Sequence, residues 1–114
     1  MESSEFESNC KASISEVLHV LSGKWTFLVI AELIKEPQRF NQLRRNLGNI
    51  NTKGLTDTLR NLEEHGLINR QVFPTVPVTV EYSISEKGRS FSEMFTGMNR
   101  WKTEWDSPEL NPIQ

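Results

Sequence analysis

The chain has 114 residues, of which 36% are hydrophobic and 25% are charged, and its formal net charge is −2. This composition is typical of one folded domain and excludes a disordered chain or a chain that is basic throughout. No apolar run approaches the roughly 20 residues that a membrane-spanning helix needs, so we expect no membrane partner.

The N-terminal segment from Met1 to Glu7 is acidic, whereas a secretory signal is first basic and then apolar, so we expect a cytoplasmic protein. The only cysteine, Cys10, excludes an intramolecular disulfide and a cysteine-rich zinc site, in agreement with a reducing compartment. His19 and His65 have no cysteine or carboxylate at metal-ligand spacing. The sequence therefore predicts neither a metal site nor a cofactor.

Two helices are predicted in the N-terminal third of the chain. From Ala12 to Leu21 apolar residues recur at helical spacing, and Gly23 interrupts the pattern. From Lys24 to Lys35 nearly every position is apolar, which indicates a central helix enclosed by the others. Pro37 ends this helix.

The segment from Asn41 to Gly66 predicts two amphipathic helices joined by a glycine-containing turn, the pattern of a helix-turn-helix. Asn41 and Asn51 are plausible N-caps, and Gly66 stands where a left-handed C-terminal cap belongs. The second helix keeps leucines on one face and leaves a polar face of the right size for a major groove. The leucines are Leu55, Leu59 and Leu62, and the polar residues are Thr52, Lys53, Thr56, Asp57 and Arg60.

Two strands and a long helix are predicted next. The strands run from Leu67 to Phe73 and from Val78 to Ile84, and the prolines of the Pro74 to Pro77 connection stiffen the hairpin loop. Ser85 is a plausible cap for a last helix at about 86–105. The apolar stripe of that helix is too large for this domain alone, so together with the first helix it predicts a homodimer contact. The predicted contact residues are Ile14, Val17, Leu18, Leu21, Phe91, Phe95, Met98, Trp101 and Trp105.

The order of these elements is that of a winged helix. We predict an α+β, mainly α fold in a single domain over residues 1–114, with the helix-turn-helix at about 40–66 and the wing at about 67–84. Residues 1–9 and 107–114 are expected to be flexible. Trp25 is grouped with Trp101 and Trp105 as an interface residue rather than as part of an effector pocket.

The charges suggest where this fold meets DNA. From Lys35 to Arg70, seven basic residues stand against four acidic ones, although the whole chain is acidic. Several candidates could instead have an ordinary structural role, because arginines on helices are usually solvated surface charges and threonines often cap helices or fill space. The candidate DNA-binding residues are Arg39, Arg44, Arg45, Asn51, Thr52, Lys53, Thr56, Asp57, Arg60, Arg70, Thr75 and Thr79.

Cys10 adjoins Lys11 and directly precedes the predicted first helix. A neighbouring cation and a helix N-terminus both favour thiolate, so Cys10 is either a reactive thiol or an inert one packed beside the helix. Without a second cysteine, oxidation must end in a sulfenic acid, a mixed disulfide, an adduct or a bridge to Cys10 of a second subunit.

Three strings resemble the HxlR family of bacterial transcriptional regulators. Gly23-Lys24-Trp25 resembles the G-K-W at the start of the family's second helix, and 39–43, read as R-F-N-Q-L, resembles its R-F-S-E-L. Residues 74–88 resemble the family's wing motif P-x-V-P-x-x-V-E-Y-x-L-T-x-x-G. The likeness runs from about Cys10 to Trp101, with Thr79 where the family often has an arginine.

The resemblance implies a MarR-like homodimer on a pseudo-palindromic operator, with the Asn51 to His65 helix in the major groove and the hairpin loop on the flank. It also implies that Cys10 is a redox or electrophile sensor, which adds a thiol-reactive small molecule to the partners. Two alternatives remain. One is a winged-helix module that binds protein, and the other is a small thiol enzyme with Cys10 as its peroxidatic residue, which the missing resolving cysteine disfavours.

Overall fold

The structure, a computed structural model, describes the backbone of residues 3–106 and the side chains of residues 9–106. The predicted flexible C-terminus, 107–114, lies outside these residues. Within the described part the chain forms, in order, α1 (Ser3–Leu21), α2 (Thr26–Lys35), β1 (Gln38–Arg39), α3 (Phe40–Asn46), α4 (Thr52–Glu64), β2 (Ile68–Phe73), β3 (Thr79–Ile84), α5 (Glu86–Arg89) and α6 (Phe91–Asp106).

Local capping chemistry defines the helix-turn-helix, α3 and α4. The turn uses left-handed backbone at Gly48 (φ 81°) and Asn49 (φ 59°), two residue types that tolerate this region. Asn51 then caps α4, because its Oδ1 accepts a hydrogen bond from the Gly54 amide at 2.6 Å. Gly66 follows the helix with φ 72°. The predicted roles of Asn51 and Gly66 are confirmed.

The hydrophobic core lies between α2, α3, α4 and the start of β2. It is formed mainly by aliphatic side chains that project from these elements at helical spacing, so each helix contributes one face. The three leucines predicted for the inner face of α4 are all buried. The core residues are Val29, Ile30, Leu33, Leu43, Ile50, Leu55, Leu59, Leu62, Leu67 and Ile68.

The sheet has three antiparallel strands in the order β1-β3-β2. The predicted hairpin pairs Ile68 with Ile84 and Phe73 with Thr79. The additional strand, β1, was not predicted. It is held by the buried Gln38, whose Nε2 donates to Glu32 O at 3.0 Å and whose Oε1 accepts from Asn46 Nδ2 at 2.9 Å. This network fixes α3 to the end of α2.

The predicted helix starts need correction. α1 begins at Ser3 and not at Ala12, so residues 3–9 are helical. The predicted cap at Asn41 is wrong, since α3 begins at Phe40 after an extended Arg39 that makes no side-chain cap.

α2 is less enclosed than its apolar sequence suggests, and the last predicted helix is broken. Phe27 and Leu28 of α2 are exposed. Ser85 does cap the following helix, because its Oγ accepts from the Gly88 amide at 3.0 Å. That helix, α5, ends at Arg89, and Ser90 lies at the break, where its Oγ donates to the Lys87 carbonyl at 2.6 Å. α6 therefore starts separately at Phe91.

The molecule is elongated, with a Cα radius of gyration of 17.9 Å, against about 13 Å for a compact domain of similar length. No residue of α6 is fully buried, and only its first two turns, through Phe91 and Phe95, pack against the core. Among residues 3–106, no single helix is long and apolar enough to cross a membrane.

Candidate nucleic-acid interface

The polar face of α4 is the centre of the candidate interface. Thr52, Lys53, Asp57 and Arg60 are exposed, and Thr56 is half-buried between them. Because the buried leucines occupy the opposite face of the same helix, these five side chains share one outward surface, as the sequence predicted. We call this surface, Thr52, Lys53, Thr56, Asp57 and Arg60, the reading face.

An ion pair lies within the reading face. Lys53 Nζ donates to Asp57 Oδ2 at 2.8 Å across one helical turn, and the two side chains are 85% and 54% exposed. This hydrogen bond and the charge of Lys53 lower the pKa of Asp57, with a further contribution from the charge of Arg60. Asp57 is therefore an ionised acceptor at neutral pH, between two cations.

The tryptophan of the Gly23-Lys24-Trp25 string supports this helix and does not belong to the apolar surface where the sequence grouped it. A Cβ added to Gly54 would lie 3.3 Å from Trp25 Nε1 and 3.1 Å from Asn51 Oδ1. Glycine is a poor helix former, but here its missing side chain lets the first turn of α4 lie close to the indole. Trp25 thus positions the start of the reading face.

A third basic residue, Arg70 of β2, lies beside the reading face. A cleft of about 370 Å³ separates α4 from the sheet, and Arg60 and Arg70 both line it together with Glu63 and Tyr82. Arg70 lies opposite Tyr82 in the β2-β3 ladder, so its position is set by strand register. The structure thus brings together two of the candidate arginines, which come from different elements.

The remaining basic candidates divide into two kinds. Arg39 and Arg45 line a groove of about 650 Å³ between α3 and the wing, which Thr79 also borders. Arg44 is engaged within the fold, because its Nε donates to Ile50 O at 3.0 Å and closes the turn before α4. Arg44 therefore braces the helix-turn-helix, and Arg45 is the freer cation of the two.

The loop of the wing is organised by its own hydroxyl groups. Thr75 Oγ1 donates to Pro77 O at 2.7 Å and lies 2.9 Å from Thr79 Oγ1. Val76 is fully exposed at the tip. The structure thus brings the two candidate threonines together, and both of their hydroxyl groups take part in hydrogen bonds within the loop.

Cys10 does not precede a helix but lies inside α1, seven residues after its first residue. The predicted effect of a helix N-terminus on this thiol is therefore wrong, because that effect fades within the first turn. Cys10 is half-buried. Helical spacing puts it on the same stripe as Ile14 and Val17 of the predicted dimer contact.

An apolar surface runs over α1, α2 and α6. Leu18 is 60% exposed and Trp101 64%, and Ile14, Met98 and Trp105 are similarly open. Val17, Leu21, Phe91 and Phe95 are half-buried at its inner edge. Phe27 and Leu28 of α2 also belong to this surface, which was not predicted, since an unbroken apolar run gives no sign of which positions face outward. The Phe27 ring meets Phe95 edge to face, with centroids 4.8 Å apart.

Comparisons with known proteins agree with this geometry. The model of the HxlR-like helix-turn-helix family matches residues 20–110. An HTH-type transcriptional regulator of Synechocystis sp. is 40% identical over 100 residues, which cover 88% of this chain and 74% of the relative.

Two solved structures of redox-related regulators are also similar. The reduced form of the transcriptional regulator YodB from B. subtilis is 30% identical with a TM-score of 0.77, over 84% of this chain and 94% of that one. The oxidised form of the redox regulator HypR is 36% identical with a TM-score of 0.71, over 78% and 92%. YodB is also known in quinone-bound and diamide-treated forms.

These matches remove the thiol-enzyme alternative, because the family and the matched relatives are transcriptional regulators and not enzymes. The family match covers well over half of the chain, and the winged-helix fold agrees with it. The chain therefore belongs to the HxlR family of helix-turn-helix transcriptional regulators.

Proposed function

We propose that the protein binds double-stranded operator DNA as a homodimer and inserts α4 of each subunit into the major groove. The observation that supports this most directly is the reading face, whose exposed polar side chains are backed by three buried leucines. A helix with this division presents hydrogen-bonding groups at a fixed depth, which direct readout of bases requires.

The flanking contacts follow from the same orientation. With α4 in the groove, we expect phosphate contacts from Arg60 and Arg70, which share the cleft between α4 and the sheet, and from Arg39 and Arg45, which share the groove between α3 and the wing. Asn51 contributes by capping α4, and Arg44 contributes by holding the turn before it. The wing, with Thr75 and Thr79, lies on the adjacent backbone.

The apolar surface of α1, α2 and α6 supports the homodimer. So many large apolar side chains exposed on three helices are unusual on a monomer and mark interfaces. A two-fold axis through this surface sets the two α4 helices about one duplex turn, ~34 Å, apart, and therefore predicts an inverted-repeat operator.

Cys10 is the proposed switch. It lies on the α1 stripe beside Ile14 and Val17, so an adduct or an intersubunit disulfide at Cys10 changes the packing of the dimer and hence the separation of the two reading faces. Redox regulators among the solved relatives support this assignment. A thiol oxidant or electrophile is the expected effector.

The test is selection of bound duplexes from a random library, before and after treatment with diamide. We expect an inverted repeat, an affinity that falls steeply with salt, and loss or change of binding after treatment. Cys10→Ser is the matched control and should bind in both conditions. Absence of salt-sensitive binding to duplex DNA would favour the protein-interaction module. Diamide-treated protein that still binds with Cys10 modified would remove the switch.

A further inference from the structure

We propose that Asp57 is a specificity-determining residue that selects a cytosine in each half of the operator by accepting a hydrogen bond from the N4 amino group of that base. The inference rests on the proposed function, since it assigns a base to one position of the reading face. It explains why a carboxylate stands among residues that are otherwise suited to phosphates and bases.

The position of Asp57 directs it to base edges. Helix-turn-helix proteins contact bases with the N-terminal residues of their second helix. α4 begins at Thr52, so Asp57 lies in its second turn, one turn after Lys53 and opposite the buried Leu55 and Leu59. Its side chain is more than half exposed. With α4 in the groove as proposed, this position places the carboxylate among the residues that helix-turn-helix proteins use to contact base edges.

The chemistry of an ionised carboxylate restricts the base that it can face. Asp57 is ionised at neutral pH and can only accept hydrogen bonds, and the hydrogen bond and charge of Lys53 lower its pKa further. In the major groove, cytosine presents an amino donor alone, guanine presents two acceptors, and thymine an acceptor and a methyl group. Adenine presents its amino group beside the acceptor N7. Cytosine is the base that offers a donor without a repelling neighbour.

The ion pair orients the carboxylate for this contact. Lys53 Nζ donates a hydrogen bond to Asp57 Oδ2. Among the described residues no hydrogen bond reaches Asp57 Oδ1, so this oxygen is available to a base. Lys53 keeps two further protons, which suit the O6 and N7 acceptors of a guanine. Four residues of helix span about 6 Å, so the two side chains reach base pairs within about two steps of ~3.4 Å.

Selection with variants tests the assignment. Wild-type protein should recover a cytosine in each half-site with a guanine within two steps. Asp57→Ala should lose this preference, with discrimination at that position falling roughly 10- to 100-fold. Asp57→Asn should shift it toward adenine, which an amide contacts through N6 and N7. Glu64→Gln removes the same charge from the far end of α4 and should leave the selected sequence unchanged.

The outcomes separate this inference from the proposed function. If the wild-type chain selects no duplex, both fail together. If it selects an operator and Asp57→Ala selects the same one with equal stringency, the proposed function stands and the cytosine contact is overturned. Binding of random duplex by Asp57→Ala, equal to or tighter than that of the wild type, shows that α4 is intact, because removal of a negative charge favours contact with phosphates.

Discussion

Two regions of the molecule differ in how they bury their apolar side chains. One is the helix-turn-helix with its hairpin, and the other is the pair of terminal helices, α1 and α6. The first region closes on itself, since its aliphatic residues form the core and the side chains of Asn51, Arg44 and Ser85 bond to its own turns. The terminal helices leave an apolar surface open that includes Leu18 and Trp101. One region is therefore complete in a single subunit, and the other presents the surface that we propose a second subunit covers.

The largest expected effect is on stability, and it comes from a substitution where α5 packs against the helix-turn-helix region. A Cβ on Gly88 would lie 2.1 Å from Leu67 O and 2.7 Å from Ile84 Cδ1. Leu67 O cannot move away without breaking the hydrogen bond that it accepts from the Ser85 amide at the start of the hairpin. Gly88→Ala should lower the free energy of unfolding by about 3 kcal/mol or more, as measured by urea denaturation.

Gly97→Ala is the matched control, since an added Cβ there meets nothing within 4 Å. It should leave the unfolding free energy unchanged or raise it by about 0.5–1 kcal/mol, because alanine is the better helix former. Equal stability of the two variants would mean that α5 does not pack on Leu67 as described.

The second-largest effect is expected on dimer formation through the apolar surface, without a change in the core of the helix-turn-helix region. Trp101→Glu places a charge in the exposed stripe of α6, so a dimer formed through this surface should weaken by at least about 30-fold in its dissociation constant. Analytical ultracentrifugation measures this change. Thr96→Glu, on the opposite face of α6, should remain dimeric. A Trp101→Glu protein that stays dimeric would move the contact to another surface.

The difference between the regions also explains which features the sequence predicts. Asn51, Gly66 and Ser85 act through bonds to residues a few positions away, so local chemistry was enough to identify them. β1 depends on pairing with β3 more than forty residues later, and a two-residue strand has no periodicity of its own. The outward orientation of Phe27 likewise depends on where α6 packs.

The start of α1 and the break before α6 were missed for related reasons. Residues 3–9 are mostly polar, so an apolar pattern could not extend the helix to them. Ser90 is neither glycine nor proline, yet its hydroxyl turns back to Lys87 O where the helix ends. The position of Cys10 inside α1, and thus the failure of the helix-terminus argument, follows from the first of these errors.

The third effect is on DNA binding by the helix-turn-helix region and not on its stability. Arg60 is exposed and is not one of the core residues, so Arg60→Ala should fold normally. If it neutralises one phosphate, operator affinity should fall about 10-fold and the log-log slope against salt should flatten by about 0.9. Arg100→Ala, on the polar side of α6, should retain both values. An unchanged slope would remove Arg60 from the contact surface.

The smallest effect concerns the ion pair on the reading face, which belongs to the closed region but is open to water. Because Lys53 lowers the pKa of Asp57 below 3.8, the pair stabilises the folded chain above that pH, and this contribution is lost as the pH falls through the lower folded value. Lys53→Met should raise the pKa of Asp57 in a carboxyl NMR titration, whereas Lys35→Met on α2 should not. Solvent screens so exposed a pair that unfolding measurements should change little. A large loss of stability in Lys53→Met would mean that the first turns of α4 depend on this pair, and that its side chains are not free to rearrange on a duplex.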